Sequence, residues 1–486
     1  MKYGKIYLFI LAVVLFSSCN DWLTVTPQNK TQEDDLFKTG DGYRVALNGL
    51  YQQMSENSLY GQELTWGFMS VLSQNYVYDN LKSQRYKDAG AYEYGTSGCS
   101  SIIDGIWRKL YNTIANCNNL LQRIETENPG LFELKELERN MIMGEAYSIR
   151  AFCQFELLRL FAPAPVTDDK KVYLVYVTEY PTLVGKKLPV TDYLDLVIDD
   201  LKKGKNLLAT FDTIEPYVVG EQAYWFRMEC SSYPSSPGAF FNARGTHLDY
   251  YATTALLARV YQYANMQELA LKEAREILEC EYFDFTPESQ LSMDQVNDRN
   301  QKAHCDIMFS LFNNQENKIA ESYYNGIAGF MEIKDMTNLF TGDGDDYRKA
   351  YMVIKSYDSK DISIKWRESS NQEVFNQQNP LIPVIRLSEM YYIAGEAIFD
   401  KDPGQAIDWL DEARLGRGCK NRLPRELTKA QYLERVIQDA RREYIAEGQL
   451  FYLYKRLNHP VIDGDKTIEL GAKFVLPIPD SDLVSF

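Results

Sequence analysis

Aromatic rings that alternate with polar side chains between positions 65 and 94 are the residues best suited to binding chemistry. The chain holds 35 Tyr, 6 Trp and 23 Phe, and the stretch TWGFMSVLSQNYVYDNLKSQRYKDAGAYEY has their densest mixture with polar groups. Sugar rings stack flat C–H faces on aromatic side chains, and their hydroxyl groups need carboxylate, amide or guanidinium partners. The stretch therefore predicts a sugar-binding site. Its candidate residues are Trp66, Tyr78, Asp79, Arg85, Tyr86 and Tyr94.

Other aromatic residues lie in less regular parts of the sequence. They are Trp225, Tyr233, Tyr323, Tyr324 and Trp366. Any single ring can instead fill a core, because large aromatic side chains contribute much of the buried apolar surface of proteins. Trp107, within GIWRKLYNTI, is assigned to the core. The 65–94 stretch is preferred for ligand contacts because its rings have polar neighbours and its helical periodicity is weak.

Sequence patterns for the common catalytic and metal sites are missing. The three histidines, His247, His304 and His459, are isolated, and neither an HExxH pattern nor a paired His/Cys zinc pattern occurs. No GxSxG elbow, dinucleotide fingerprint or P-loop lysine motif stands out. We predict a non-enzymatic protein without a cofactor. A glycosidase stays open as an alternative, because the carboxylate pair of such enzymes has no fixed sequence spacing.

The acidic run GDGDD, with Asp343, Asp345 and Asp346, is similar to part of a calcium-binding loop. The next alternate position is Tyr347 and the glycine that an EF-hand requires is missing, which excludes that motif. A structural Ca²⁺ ion in another kind of loop stays open, and no metal ligand is assigned.

The amino terminus has the features of a lipoprotein signal. A basic start precedes an apolar run from Ile6 to Phe16, and small residues stand before Cys19. The run is about half of the ~20 apolar residues that a membrane-spanning helix needs. We predict a signal peptide over 1–18, lipid attachment at Cys19 and a polar tether over 19–35. Two or more acyl chains hold a protein stably on a membrane.

Charge and cysteine spacing narrow the class of protein further. The formal net charge is −16, which argues against a nucleic-acid partner because a surface that binds nucleic acid must be basic.

Seven cysteines besides Cys19 are irregularly spaced and form no CxxC pair. Most of them lie among apolar residues, and we interpret them as small buried hydrophobic side chains.

Helical periodicity dominates most of the rest of the chain. We predict a mainly α fold with a helical scaffold over about 36–163, 246–280 and 381–457, and loop-rich insertions over about 164–245 and 281–380 that form a second lobe. Counting from Ala258 and from Ala394, small or apolar residues return at the same four offsets in both segments. Such spacing is typical of tetratricopeptide-like helix pairs.

Several segments, in order along the chain, resemble the SusD/RagB family of outer-membrane nutrient-binding lipoproteins. They are CNDWLTVTPQ after the signal, GEAYSIRAFCQFELLRLFAPAP at 144–165, PVIRLSEMYYIAGEA at 383–397, RREYIAEGQLFYLYKRL at 441–457 and FVLPIPDSDL at 474–483. Leu450 stands where the family usually has arginine. The ordered set makes the resemblance specific, whereas each segment alone is weak.

The resemblance implies a fold, a location and a partner. The fold is a tetratricopeptide-like α scaffold packed against an irregular lobe, over 36–486. The location is the cell outer membrane, and the partner is a SusC-like TonB-dependent transporter that receives captured glycan. In this family the stretch after the first helix commonly contributes to the glycan site. Capture of peptides is the open alternative, and Arg442, Glu443 and Glu447 are interpreted as a structural ion-pair network.

Overall fold

The computed structural model of the protein describes residues 33–181, 185–214, 226–228, 238–280, 282–314 and 316–479. The predicted signal peptide, Cys19, Trp225 and Tyr233 lie outside these residues. Helices form most of the regular structure, which confirms the predicted mainly α class. In chain order they are α1 (Gly40–Met54), α2 (Phe68–Leu72), α3 (Gln84–Gly90), α4 (Ser97–Ile124), α5 (Glu136–Phe161), α6 (Val190–Ile214), α7 (Tyr250–Tyr263), α8 (Gln267–Leu278), α9 (Glu288–Leu291), α10 (Glu316–Tyr324), α11 (Met336–Leu339), α12 (Tyr347–Ala350), α13 (Gln372–Gln378), α14 (Leu387–Ile398), α15 (Pro403–Gly416), α16 (Lys429–Glu443) and α17 (Leu450–Leu457).

Short strands pair only as two-stranded antiparallel ribbons within the described ranges. The strands are β1 (Val172–Val175), β2 (Lys187–Pro189), β3 (Ile307–Phe312), β4 (Val353–Lys355), β5 (Asp361–Ser363), β6 (Leu381–Arg386), β7 (Val461–Asp463) and β8 (Lys466–Ile468). The pairs are β1 with β2, β3 with β6, β4 with β5 and β7 with β8. The pair β3–β6 is almost entirely buried, which explains its continuous apolar sequences IMFSLF and LIPVIR.

Local sequence signals start several of these helices. The side chains of Thr39, Thr96 and Asp249 accept hydrogen bonds from backbone N–H groups in the first turns of α1, α4 and α7. Thr428 and Gln431 form a reciprocal capping box at α16. These contacts satisfy N–H groups that have no partner inside the helix, and each contributes about 1 kcal/mol.

The centre of the helical scaffold is α5, which is buried around nearly its whole circumference from Met141 onward. It packs against α4 on one side and α6 on the other. The position of α6 corrects the sequence analysis, which placed all of 164–245 in a loop-rich insertion. Because Val190–Ile214 packs along the central helix, it belongs to the scaffold.

Two glycines set the closeness of α5 and α6. A Cβ atom on Gly204 would lie 2.9 Å from the carbonyl oxygen of Gly144 and 2.3 Å from Ser148 Oγ. A Cβ atom on Gly144 would lie 3.1 Å from the carbonyl oxygen of Gly204. The two backbones therefore touch at this crossing, and a side chain on either helix would push them apart.

We expect Gly204→Ala to lower the free energy of unfolding by about 1–2 kcal/mol. Alanine is the better helix former by about 1 kcal/mol, but overpacking costs about 1–3 kcal/mol and here prevails because the contact is with backbone. Gly49→Ala is the matched control, since a Cβ atom there meets nothing within 4 Å. Urea denaturation should show opposite signs for the two variants. Stabilisation by both would contradict the close crossing.

The two segments with shared offsets form helix pairs. The helices α7 and α8 pack on each other, as do α14 and α15, and α8 also contacts α14. Ala258, Ala270, Ala394 and Ala406 are fully buried, where their small size lets neighbouring helices approach. This arrangement is compatible with the predicted tetratricopeptide-like pairing.

The loop-rich segment 281–380 is joined to the helices through a shared core and a network of buried charges. One apolar cluster runs from Phe37 to Leu476 and includes residues of this segment, which also has a small cluster of its own around Leu291 and Ile364. Arg348 donates to Glu443 at 2.9 Å, and Lys365 donates to Glu447 at 2.6 Å.

Arg442, Glu443 and Glu447 are all buried and paired, which confirms them as structural. Arg417 bridges Glu443 and Asp306. Arg386 donates from Nη2 to Glu447 at 2.6 Å. We call Asp306, Arg348, Lys365, Arg386, Arg417, Glu443 and Glu447 the buried ion network. Buried charges persist only when they are paired and hydrogen-bonded, and these are.

The cysteines of the described ranges behave as hydrophobic side chains. Cys99, Cys117, Cys153, Cys305 and Cys419 are buried and Cys280 is half-buried. Burial raises the pKa of Cys99 to about 12, which keeps its thiol protonated and unreactive at neutral pH. Among the described helices none combines the length and the apolar character needed to cross a bilayer.

Candidate functional site

The segment Tyr78–Asn80, part of the predicted site, lies at the surface beside a distant part of the chain. Val77 N–H donates to the carbonyl oxygen of Glu332 at 2.9 Å, and Lys82 N–H donates to that of Ala328 at 3.0 Å. Ile333 N–H in turn donates to the carbonyl oxygen of Asp361 in β5. Backbone pairing thus brings the first predicted cluster together with the loop-rich segment 281–380.

An exposed aromatic platform stands on the hairpin formed by β4 and β5. Tyr357, in its turn, is 76% exposed, and the ring of Phe330 lies 5.0 Å from its centroid at an interplanar angle of 70°. The hydroxyl end of Tyr357 lies against Gly326, whose Cβ, if present, would come within 2.6 Å of Oη. These contacts position the ring and leave most of it open to solvent.

The residue after Gly326 extends the platform. Ile327 is 69% exposed, and with Tyr357 it forms the most exposed pair of large hydrophobic side chains in the described part of the protein. Single exposed hydrophobic residues are common, but two of this exposure in one place mark an interaction surface.

Polar side chains surround the platform. Asn80 Nδ2 donates to Glu332 Oε2 at 2.8 Å, and Lys360 Nζ lies 3.1 Å from the same carboxylate oxygen. Asp79 is exposed beside Asn80. Amide, carboxylate and ammonium groups are the partners that hydroxyl groups of a ligand require. We call the residues 78–80, 326–332 and 353–363 the Tyr357 surface.

Tyr78 is half-buried, and neighbouring groups cover part of its ring. Its ring lies against Gly90, where a Cβ atom would come within 2.4 Å of the ring, and Lys334 Nζ stands 5.3 Å from its centroid. Burial, with smaller effects of the Asp79 and Asp463 charges, raises the pKa of Tyr78. Its hydroxyl is therefore protonated at neutral pH and able to donate a hydrogen bond.

Three predicted ligand-binding rings lie in the interior, so the prediction that they stack directly on a ligand is wrong for this structure. Trp66 is buried and edge-on to Tyr323 at 5.5 Å. Tyr86 is buried, and its hydroxyl accepts from Gln62 Nε2 at 2.7 Å. Tyr94 is buried and donates to the carbonyl oxygen of Lys473 at 2.8 Å. The hydroxyl groups of Tyr86 and Tyr94 thus have hydrogen-bond partners inside the protein, far from them in sequence.

Arg85 is exposed but faces a different set of residues. Its side chain is 42% exposed, its guanidinium lies 5.2 Å from the centroid of Tyr86, and Nη2 is 3.5 Å from Glu63 Oε1. Burial raises the pKa of Glu63 to about 7, and the charge of Arg85 opposes that rise. The contacts of Arg85 within the described ranges are with this group and not with the Tyr357 surface.

The remaining aromatic candidates of the 281–380 segment are structural. Trp366 is buried and donates from Nε1 to the carbonyl oxygen of Ala446 at 2.8 Å. Tyr323 is buried between Trp66 and Tyr86. The sequence analysis did not single out Tyr357. Its signal was a lone tyrosine in the polar turn KSYDSKD, between two short β segments.

The acidic run at 343–346 is engaged in ion pairs. Asp343 pairs with Arg414 at 2.8 Å and with Arg442 at 2.7 Å, and Asp346 pairs with Arg348 at 2.7 Å. No group of three or more His, Cys, Asp or Glu side chains is arranged to hold a metal ion within the described ranges. The positive charges paired with Asp343 and Asp346 are therefore those of arginine side chains.

Comparisons with known proteins bear on this architecture. A family model described as "Starch-binding associating with outer membrane" matches residues 21–218. SusD-like protein P2 of Formosa agariphila is 29% identical over 168 residues, which cover 35% of this chain and 32% of that protein. SusD-like protein P25 of the same organism is 24% identical over 177 residues, covering 35% and 33%. The match spans about a third of the length of these curated relatives.

The decisive comparison is with solved structures. A putative sugar-binding protein from Bacteroides vulgatus superposes with a TM-score of 0.68 at 20% identity, covering 92% of this chain and 96% of that chain. A SusD superfamily protein from Bacteroides thetaiotaomicron superposes with a TM-score of 0.67 at 20% identity, covering 92% of this chain and 98% of that chain, so this chain has a SusD-like fold. Surface glycan-binding protein A from Bacteroides thetaiotaomicron, solved in complex with laminarihexaose, has a TM-score of 0.64 at 13% identity, with coverage of 92% of this chain and 98% of that chain. At such identities the structural likeness establishes the fold of this chain and nothing more.

Proposed function

We propose that this SusD-like protein captures glycans at the Tyr357 surface without cleaving them. The observation that carries the proposal is the pair of exposed side chains, Tyr357 and Ile327. Hydrogen-bonding side chains lie on the same surface. A sugar ring would stack on Tyr357, and its hydroxyl groups would meet Asp79 and Asn80. The matched family is described as starch-binding, which supports the ligand class.

Glycan panels test this proposal directly. We expect isothermal titration of the full-length protein against maltohexaose, laminarihexaose, xylohexaose and mannohexaose to detect at least one ligand with micromolar to millimolar affinity, roughly 4–8 kcal/mol. The sugar recovered after prolonged incubation should be intact. If the protein binds a random peptide mixture and none of the glycans, its ligands are peptides. If new reducing ends are released, the protein is a glycosidase.

We further propose that lipid on Cys19 holds the protein at the outer membrane, where it delivers glycan to a SusC-like TonB-dependent transporter. The lipoprotein signal and the outer-membrane description of the matched family support this placement. Wild-type protein, solubilised from host membranes in mild detergent, should co-purify with such a barrel. Cys19→Ala should leave the membrane fraction. Equal membrane association of both forms would refute the anchor.

A further inference from the structure

A cavity separate from the Tyr357 surface lies between α1, the segment 239–247 and the end of β3. Its volume is about 330 Å³, at the lower end of the ~300–1,000 Å³ typical of small-molecule sites. We call it the Phe312 groove. Its lining includes Asn48, Tyr51, Gln52, Phe240, His247 and Phe312.

Aromatic side chains form the walls of the Phe312 groove. Phe312 ends β3 and is 42% exposed, whereas the five preceding residues of that strand are buried. Phe240 is half-buried, with the guanidinium of Arg44 5.1 Å from its ring centroid. The rings of Tyr51 and His247 meet edge to face at 4.7 Å. The groove therefore offers exposed ring surface from Phe312 and part of Phe240.

Polar groups reach the same groove from one face of α1 and from His247. Asn48 and Gln52 are exposed one turn apart on the helix, and neither side chain hydrogen-bonds to any described residue. His247 Nδ1 lies 2.8 Å from Glu145 Oε2, which orients the imidazole. Within the described residues no hydrogen-bond partner of His247 Nε2 is present. Two amides and one imidazole nitrogen are thus able to bind a ligand.

The two carboxylates beneath the groove are both paired with Arg244. Glu145 pairs with Arg244, which also donates from Nε to Asp212 at 2.8 Å, and Tyr51 donates to Glu145 Oε2 at 2.6 Å. Burial would raise the pKa of Glu145, but the Arg244 and His247 charges outweigh it and hold this pKa at about 2. With this carboxylate ionised and paired, the groove favours an uncharged ligand over an ion.

We propose that the Phe312 groove is a second sugar subsite, which takes an uncharged pyranose unit between Phe240 and Phe312. The hydroxyl groups of the sugar bind the amides of Asn48 and Gln52 and the imidazole of His247. This inference rests on the proposed capture of glycans, but it concerns different residues from those of the Tyr357 surface.

The scarcity of histidine allows a direct test. With only three histidines in the chain, the imidazole Cε1–Hε1 signals of labelled full-length protein are few enough to assign by substitution. Maltose, laminaribiose, xylobiose and mannobiose are the probes. For at least one of them we expect the His247 signal to shift and saturate while those of His304 and His459 stay in place. The shift should persist in Tyr357→Ala.

The double variant Asn48→Ala with Gln52→Ala should weaken the apparent Kd at His247 by at least about tenfold. Alanine is a strong helix former, so this variant should retain its fold. Val45→Ala, on an exposed part of α1 outside the groove, should leave the Kd unchanged. Glycan binding by calorimetry without a His247 shift, or equal shifts of all three histidines, overturns the subsite alone. If neither calorimetry nor the His247 signal detects binding of any glycan, the subsite and the proposed function are both overturned.

Discussion

Glu443→Ala is expected to lower the free energy of unfolding by about 3–5 kcal/mol, the cost of breaking a buried ion pair. Glu443 accepts from Arg348 Nη1 at 2.9 Å, from Arg417 Nε at 3.0 Å and from Ser388 Oγ at 3.0 Å. Its removal leaves excess positive charge where water cannot solvate it. Urea denaturation at pH 7 measures the loss.

The same carboxylate predicts how the effect changes with pH. Burial alone would raise the pKa of Glu443, but the charges and hydrogen bonds of Arg417 and Arg348 hold it well below the ordinary value of 4.5. The stabilisation is therefore fully present above the unfolded pKa and is lost as the pH falls through the folded one. The difference between wild type and Glu443→Ala should shrink in acid.

An exposed ion pair provides the matched control for Glu443→Ala. Arg275 Nη2 and Glu279 Oε1 are 2.7 Å apart on α8, and both side chains are more than half exposed. Glu279→Ala should cost less than about 0.5 kcal/mol, because solvent already screens the pair. Similar small losses for both variants would show that the buried ion network does not stabilise the fold.

Tyr357→Ala is expected to weaken binding of the best glycan in the panel by about 30-fold or more, the ~2 kcal/mol typical of a binding hot spot. The ring is the most exposed large hydrophobic side chain of the described residues, and Phe330 and Gly326 hold it in place. Loss of the Tyr357 ring removes the stacking face and leaves the polar side chains of the Tyr357 surface intact. Isothermal titration measures the change in Kd.

Two further variants separate the ring face from other contributions to glycan affinity. Tyr357→Phe keeps the face and removes the hydroxyl, so it should retain most of the affinity. Tyr180→Ala removes a tyrosine that is 38% exposed outside the Tyr357 surface, and it should bind as the wild type does. Wild-type affinity in Tyr357→Ala, with an unchanged melting temperature, would exclude stacking on this ring.

The buried ion network and the Tyr357 surface both include residues of the segment 281–380. The buried ion network ties the segment 281–380 to α16, and the same segment supplies Tyr357, Phe330 and Glu332 to the candidate surface. A chain that loses Glu443 should therefore lose glycan binding only when it unfolds. Binding measured below the unfolding transition should stay close to that of the wild type.

The mainly helical class could be predicted from the sequence, because helical periodicity is visible within a few neighbouring residues. In α4, for example, the sequence repeats Ile103, Ile106 and Leu110 at helical spacing, and all three are buried. The sequence also indicated that Glu443 and Glu447 are structural, since charges inside an apolar helical segment need partners. It missed that α6 belongs to the scaffold, because its surrounding Tyr-, Pro- and Gly-rich segments outweighed its own periodicity.

Which rings of the predicted sugar site are accessible depends on the tertiary structure and could not be predicted. Tyr78 and Asp79 remain at the surface, whereas Trp66, Tyr86 and Tyr94 are covered by segments far away in sequence. A tyrosine beside polar residues has the same local pattern whether its hydroxyl bonds to water or to a buried partner. Tyr357 is likewise positioned by Phe330 and Gly326, which lie outside its own hairpin. Accessibility is a property of long-range packing, which no local pattern contains.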